Sequence, residues 1–360
     1  MRQKPKIIVI GSGIVGASIA MSCLNLGADV VVLERDKLGG SASSKSFGWI
    51  NASFAESTDY FKLRNAAVNT FRNLRKEMDL NDCVQWQGTI WWENSGQELE
   101  RHFNTLVDRG YNAKLLNKHE IRRLEPNLQD IPKEAIFTSL EGAAEADSVA
   151  LKMLKNLSKK GGKVLSGCTV LGLKFKKARV SAVQTNIGEI PCDMIAIATG
   201  AATTKGFEGF EWKLPMQNKQ GLIIQTAPLP KLINHVLMTN DVHFKQNVDG
   251  SLTAGEIFSG DLKEGIVPLD LAYDVISRIS KKLSFTGNLI PNDIKIGVRP
   301  VPIDGLPVVG GIPGYKGLFI AVMHSGVTMA PLIGHLLASE MLQLINSPLL
   351  NSFRPSRFAE

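Results

Sequence analysis

The feature that most constrains this chain lies at its N-terminus. The β-branched run KIIVIG (6–11) passes directly into Gly11-Ser12-Gly13-Ile14-Val15-Gly16, then a small-residue stretch from Ala17 to Leu26, a stop at Gly27, and a second apolar run, ADVVVLE (28–34). An uninterrupted Val/Ile run is the pattern of a parallel strand buried on both faces, so the segment predicts a complete βαβ unit. Each glycine in it has a separate physical task. Gly11 permits the turn, Gly13 lets a pyrophosphate approach the backbone, Gly16 permits close helix packing, and the helix N-terminus attracts the anion. Glu34 falls 21 residues after Gly13, at the end of the second strand. A carboxylate there holds both ribose hydroxyls and repels a 2′-phosphate, so the unit predicts a dinucleotide site that disfavours NADP.

The remaining chain alternates between two textures. A helix is expected over 58–79, with Phe61, Leu63, Ala67, Phe71, Leu74 and Met78 spaced for one face. VQWQGTIWWEN (84–94) reads as paired strands around a turn at Gly88, with Trp91 and Trp92 covering a sheet, followed by a helix over 96–109. A capped helix is expected within 145–162, then a strand and a hairpin, then a buried strand in DMIAIATGA (193–201) that ends in a tight turn. Residues 214–260 alternate apolar and polar positions with a hairpin signal at Asp249-Gly250, and 269–283 forms an amphipathic helix. The last segment holds GVRPVPIDGLPVVGG, a strand GLFIAV and a helix over 326–345. Nucleotide-type elements thus occur in three pieces with β-rich material between them, which predicts interleaved domains.

The formal net charge of +7 invites a nucleic-acid or membrane-surface reading. The basic residues are scattered, with Lys159-Lys160, Lys174-Lys176-Lys177 and Lys281-Lys282 the densest groups and no Arg-rich run interleaved with aromatics. A solvated lysine surface is expected, with no nucleic-acid partner. Cys23, Cys83, Cys168 and Cys192 are far apart and form no CxxC pair, which argues against a zinc knuckle or a disulfide framework and for a reducing compartment, the cytoplasm. The apolar stretch 318–345 is interrupted by Gly326, Pro331, Gly334 and two histidines, so no membrane span is expected. HExxH, GxSxG and P-loop patterns are absent, and no metal site is expected.

GGSASSKSFGWINASF (39–54) is a Gly/Ser-rich loop whose amides and hydroxyls suit a phosphate. With the fingerprint ending in Glu34-Arg35, this loop, AIATGA (196–201), GVRPVPIDGLPVVG (297–310), HSGVTMAPLIG (324–334) and the RPSRF ending occur in one order over essentially the whole chain. Together they resemble the FAD-dependent D-amino acid oxidase superfamily, near its glycine oxidase, D-amino acid dehydrogenase and sarcosine oxidase groups. The resemblance implies an α/β fold: a Rossmann-like FAD-binding domain (1–84, 143–213 and 297–360) interleaved with an α+β substrate domain (85–142 and 214–296) built on a mostly antiparallel sheet.

It also implies roles for individual residues. Gly11, Gly13, Ile14, Val15 and Gly16 would lie under the pyrophosphate, and Glu34 and Arg35 at the adenosine ribose. Ser43, Ser44, Lys45, Gly48 and Trp49 would follow the phosphates and the flavin edge, and Val170 would meet the adenine through its backbone. Ala198, Thr199 and Gly200 would pass close to the cofactor, while Ser325, Gly326, Val327 and Thr328 open a helix whose positive end would face the reduced flavin. Arg299 matches the arginine that pairs with a substrate carboxylate, since a planar guanidinium grips a carboxylate with two hydrogen bonds and fixes the Cα–H for hydride transfer to flavin N5. A structural ion pair is the alternative for Arg299. His324 and Lys45 are further catalytic candidates, a satisfied strand-end histidine being the alternative for the former. Trp49, Asn51, Phe244 and Phe258 are expected in the substrate pocket, with Lys219 and Gln220 as weaker candidates.

Two departures from the family pattern stand out. No cysteine follows Cys192, where the sarcosine oxidase branch tethers its flavin, so non-covalent FAD is expected. The KSFGW loop also differs from the Arg/His-Asn pattern common at this point. The implied activity is oxidation of the C–N bond of a small carboxylate-bearing amine, glycine, a D-amino acid or an N-methyl amino acid, to an imino acid that hydrolyses. Oxygen, a quinone or another carrier would take the electrons. A 2-hydroxy acid or D-amino acid dehydrogenase and a non-catalytic dinucleotide-binding protein are the rival readings.

Overall fold

A computed structural model describes residues 4–256 and 269–358. Its first layer is a sheet of six strands in the order Val308–Gly311, Leu318–Val322, Met194–Ile197, Lys6–Ile10, Asp29–Leu33, Lys163–Leu165. All neighbours are parallel except the first pair. Strands from three separated stretches of sequence therefore build one Rossmann-type sheet. Its centre is apolar because Ile7, Val9, Val30, Ile195 and Ile320 are buried from both sides. Helices Ile14–Asn25, Ala146–Lys159 and Gly326–Gln343 pack over one face. Their close approach depends on small residues: a Cβ on Gly334 would stand 2.2 Å from Ser18 Oγ. An antiparallel three-stranded sheet, Val170–Lys176, Arg179–Thr185 and Gly188–Pro191, adjoins the other face.

The second layer is an eight-stranded sheet in the order Pro291–Pro302, Met216–Pro228, Ser251–Glu256, His243–Gln246, Val236–Met238, Thr89–Trp91, Glu134–Thr138, Ala113–Asn117. It is antiparallel at every pairing except Val236–Met238 with Thr89–Trp91. The amphipathic helix Leu269–Lys282 buries Ala272, Val275, Ile276 and Ile279 in this sheet's core. The chain is thus a Rossmann-like α/β unit interleaved with an α+β unit on a mostly antiparallel sheet. The strand Pro291–Pro302 runs through the boundary expected at 297.

The expected hairpin over 84–94 does not form. Val84–Gln85 pairs instead with Gly142–Ala144, which also pairs with Trp49–Ile50, whereas Thr89–Trp91 joins the eight-stranded sheet. Gly88 marks a real bend with φ +78°, but Gly142 lets another strand lie against Gln85: a Cβ there would stand 2.2 Å from the Gln85 carbonyl oxygen. The Asp249-Gly250 turn does form, between His243–Gln246 and Ser251–Glu256. No single described helix is long and apolar enough to cross a membrane.

Candidate active site

The strand Lys6–Ile10 ends at Gly11, whose φ of +107° and whose distance to Ala198, 2.5 Å from an added Cβ to the carbonyl oxygen, exclude any other residue. Gly16 is equally constrained, because a Cβ would reach 2.0 Å from the Gly11 oxygen. Gly13 differs. It caps the helix Ile14–Asn25 with φ −64°, no side chain caps that helix, and an added Cβ would meet only Ser43 Oγ at 3.3 Å and Gly40 Cα at 3.8 Å. The helix N-terminus therefore has an open cradle of amides, with Ser43 Oγ accepting from the Ile14 N–H at 3.2 Å. Glu34 stands beside it and accepts from the Ser12 N–H and hydroxyl at 2.9 and 2.7 Å and from the Asp36 N–H at 3.0 Å. These bonds fix the carboxylate beside the fingerprint loop. Arg35 turns away to an exposed ion pair with Asp36 at 2.8 Å.

The loop after Gly40 continues along this cradle. Ser43–Lys45 form one 3-10 turn, with the Ser44 hydroxyl donating to the Ser41 carbonyl at 3.1 Å. The loop then leans on the second layer: Phe47 packs over Gly255 and Lys45 over Gly297, where a Cβ would lie 2.9 Å from Lys45 Cβ. Gly48 has φ +77°, and its carbonyl accepts from the Ala144 N–H at 2.8 Å. Thr328, fully buried near the start of Gly326–Gln343, donates to the Trp49 carbonyl at 3.3 Å and accepts from the Asn51 N–H at 3.2 Å. Val15 and Gly326 meet across the two helix starts, with 3.3 Å from Val15 Cγ2 to an added Cβ. Val327 is half-buried and packs against the same core, and Ser325, left-handed with φ +56°, turns the chain into the helix. Ala198, Thr199 and Gly200 lie between these parts, the Thr199 hydroxyl bonded to Thr203 at 2.8 Å and Gly200 beside Pro300. Val170 pairs with Thr185 in the three-stranded sheet.

In the second layer, strands Met216–Pro228 and Pro291–Pro302 present Arg299 and Lys219, direct cross-strand partners. The Arg299 guanidinium lies over Gly221, burial lowers its pKa, and no described carboxylate pairs with it. His324 is exposed, its Nδ1 3.4 Å from Ser325 Oγ, and it lies within reach of the charges of Arg299, Arg64 and Lys219. The protein mass around it, then the positive charges of Arg299, Arg64 and Lys219, push its pKa down to about 4, so the imidazole is neutral at pH 7.

Arg64 escapes the sequence reading. It is buried on the apolar face of Thr58–Met78, donates to the Asn51 carbonyl at 3.1 Å and the Phe54 carbonyl at 2.7 Å, bonds Asn51 Oδ1, and lies 5.3 Å from the Tyr60 ring centroid. A lone arginine within an apolar stripe was the available signal. Glu141 is also missed: it is fully buried and accepts from the Ala52 and Ser53 amides at 3.2 and 3.1 Å, Tyr111 Oη at 3.1 Å and Thr138 Oγ1 at 2.9 Å.

One pocket expectation is corrected. Phe244 has no exposure and belongs to the core between the eight-stranded sheet and Leu269–Lys282, because the register puts it on the face opposite Lys219 and Arg299. Asn51 is buried, and its amide oxygen accepts a hydrogen bond from Arg64 Nη2. Trp49 is half-buried, with Nε1 donating to Thr89 Oγ1 at 2.9 Å and its ring edge-on to Phe54. Phe258 lies outside the described residues.

The chain is 25% identical over 358 residues to an uncharacterised oxidoreductase, YurR, of Bacillus subtilis, covering 93% of this chain and 94% of that protein. It is 23% identical over 359 residues to glycine oxidase of Geobacillus kaustophilus, covering 94% and 93%. The crystal structure of L-proline dehydrogenase from P. horikoshii superposes with a TM-score of 0.88 at 22% identity, covering 99% of this chain and 98% of that one. Residues 6–340 match the model of the DAO family, described as FAD dependent oxidoreductase. The open amide cradle, the tethered Glu34 and this match over most of the chain lead to one conclusion: the chain is a FAD-dependent oxidoreductase of the DAO family.

Proposed function

We propose that the enzyme oxidises the C–N bond of a small amino acid, with glycine, a D-amino acid or an N-methyl amino acid as the substrate class. One observation carries this reading: Arg299, desolvated and without a carboxylate partner among the described residues, lies close to a neutral His324. A buried guanidinium without a counter-ion is unfavourable, and a substrate carboxylate supplies the missing charge with two parallel hydrogen bonds. Neutral His324 adds no positive charge opposite the substrate's amino group, whereas an imidazolium would repel an ammonium.

The residues fit FAD. Gly11, Gly13 and Gly16 with the amides after them would hold the pyrophosphate, Glu34 the ribose, and Val170 the adenine. Ser43, Ser44, Lys45, Gly48, Ala198 to Gly200 and Ser325 to Thr328 would surround the rest. When bound, FAD supplies the sink for two electrons. The substrate loses its Cα hydrogen as hydride and a proton from nitrogen, forming C=N, and water then adds to the imine carbon and expels ammonia or an amine. The cofactor is held without a covalent bond on this reading, since Cys23, Cys83, Cys168 and Cys192 are all buried in packed cores. Those four free thiols also favour a reducing compartment, the cytoplasm. The cofactor-binding part comprises 1–84, 143–213 and about 297–360.

Anaerobic titration of the FAD-loaded enzyme with an amino-acid and hydroxy-acid panel tests the reading. Bleaching of the flavin absorbance by an amino acid, with ammonia or methylamine released, is the expected result. Bleaching by hydroxy acids alone overturns it.

A further inference from the structure

Lys219 and Arg299 are direct partners in the antiparallel ladder. Side chains of such partners leave the sheet on one face with Cβ atoms about 5 Å apart, and like charges placed so are destabilising. Neither cation is compensated by a described carboxylate. The nearest acid on the arginine's strand, Asp293, is paired with Lys295 at 2.8 Å. The next positions on this face are Gly221 and Gly297, themselves partners. Their missing side chains clear a floor, over which the Arg299 guanidinium bends toward Gly221 and the Lys45 stem covers Gly297. Arg299 is thereby drawn away from Lys219, and the backbone positions beneath the two anchors, Lys219 and Gly221, are about 7 Å apart along one strand. Two separated cations on one cleared face, each lacking an anion among the described residues, match a substrate with two anionic ends.

We propose that the amine oxidised here carries two carboxylates, Arg299 gripping the one beside the reacting carbon and Lys219 the distal one. This rests on the amine-oxidation reading above; its bond changes are those of that reaction and need no further reactant. The division of labour follows from the side chains. The planar, partly buried guanidinium fixes a carboxylate in one orientation, whereas the exposed ammonium on a flexible stem accepts a distal carboxylate over a range of lengths. A distal neutral or cationic group would leave Lys219 opposed to Arg299 without relief.

The test compares anaerobic flavin reduction in the FAD-loaded enzyme by matched pairs: iminodiacetate against N-methylglycine, and D-glutamate against D-norvaline. The expected ratio of reduction rate over dissociation constant favours the dicarboxylate at least tenfold in one pair. Lys219→Met should collapse that ratio at least tenfold, mainly through the dissociation constant, and Lys219→Arg should restore it to within threefold. Reduction by monocarboxylates with equal or higher efficiency, or a Lys219→Met variant whose ratio is unchanged, overturns the dicarboxylate proposal and leaves amine oxidation standing. Failure of every amine in both sets to bleach the flavin overturns the amine reading and this proposal together.

Discussion

The guanidinium of Arg299 occupies the space that a side chain on Gly221 would fill: a Cβ there would stand 2.9 Å from both Nε and Nη2. The neighbouring strand thus sets the arginine's position as much as its own does. Gly221 has no left-handed φ, so alanine is tolerated by the backbone and the flexible end of Arg299 yields instead. Gly221→Ala is expected to keep its melting temperature while raising the dissociation constant for carboxylate substrates about tenfold, since a small misplacement of a clamping group is costly. Arg299→Ala should cost more, roughly 2–5 kcal/mol in kcat/KM. A Gly221→Ala enzyme with wild-type substrate affinity would show that Arg299 does not need this position.

Gly13 and Gly16 belong to one fingerprint but should fail in different ways. Gly16→Ala places a methyl 2.0 Å from the Gly11 backbone oxygen, which cannot move without breaking the strand–helix junction. A loss of stability of at least about 1–3 kcal/mol is expected, read from urea unfolding. Gly13→Ala meets only Ser43 Oγ at 3.3 Å and keeps an ordinary φ. Its fold should be intact, and its FAD affinity, followed by quenching of flavin fluorescence, should fall tenfold or more because the methyl fills the approach to the amides. Equal loss of stability in both variants would contradict separate roles.

The contrast shows what a sequence makes legible. The fingerprint, Glu34 and the alternation of the large sheet are local patterns, and the structure places them as the spacing requires. Phe244 went wrong because a period of two shows that faces alternate but not which buried face meets the cleft. The 84–94 segment went wrong because Gly142, 48 to 58 residues away, supplies the strand that separates its halves. Arg64 left a trace, a charge within an apolar stripe, whereas Glu141 left none: apart from Thr138, its side-chain partners Ala52, Ser53 and Tyr111 are 30 to 89 residues distant.

Glu141 is the hidden support of the site. It fastens the Ala52 and Ser53 amides, and the same segment offers the Asn51 and Phe54 carbonyls to Arg64. Glu141→Ala would leave two buried amides and the hydroxyls of Tyr111 and Thr138 without this acceptor, so a destabilisation of at least about 3 kcal/mol is expected in urea unfolding. Glu141→Gln retains one acceptor oxygen and should lose less. An alanine variant as stable as wild type would remove Glu141 from this role.

His324 gives the site a defined pH response. The surrounding protein mass and the charges of Arg299, Arg64 and Lys219 hold its pKa at about 4, against 6.5 for a free imidazole. Between those values the unfolded chain binds a proton that the folded protein refuses, so stability falls as pH drops from 6.5 toward 4, and the loss is complete below that. Because the ring opens onto the cleft, water screens the charges and the slope is shallower than one full proton. His324→Asn should therefore lose less stability than wild type between pH 7 and pH 4.5, measured as the shift in urea midpoint. A carboxylate bound at Arg299 cancels one of the depressing charges and raises the imidazole pKa. Substrate binding near pH 5 should consequently take up protons, detectable by calorimetry in buffers of different ionisation enthalpy, while binding at pH 8 should leave His324 neutral throughout. Uptake that persists in His324→Asn would assign the proton to another group.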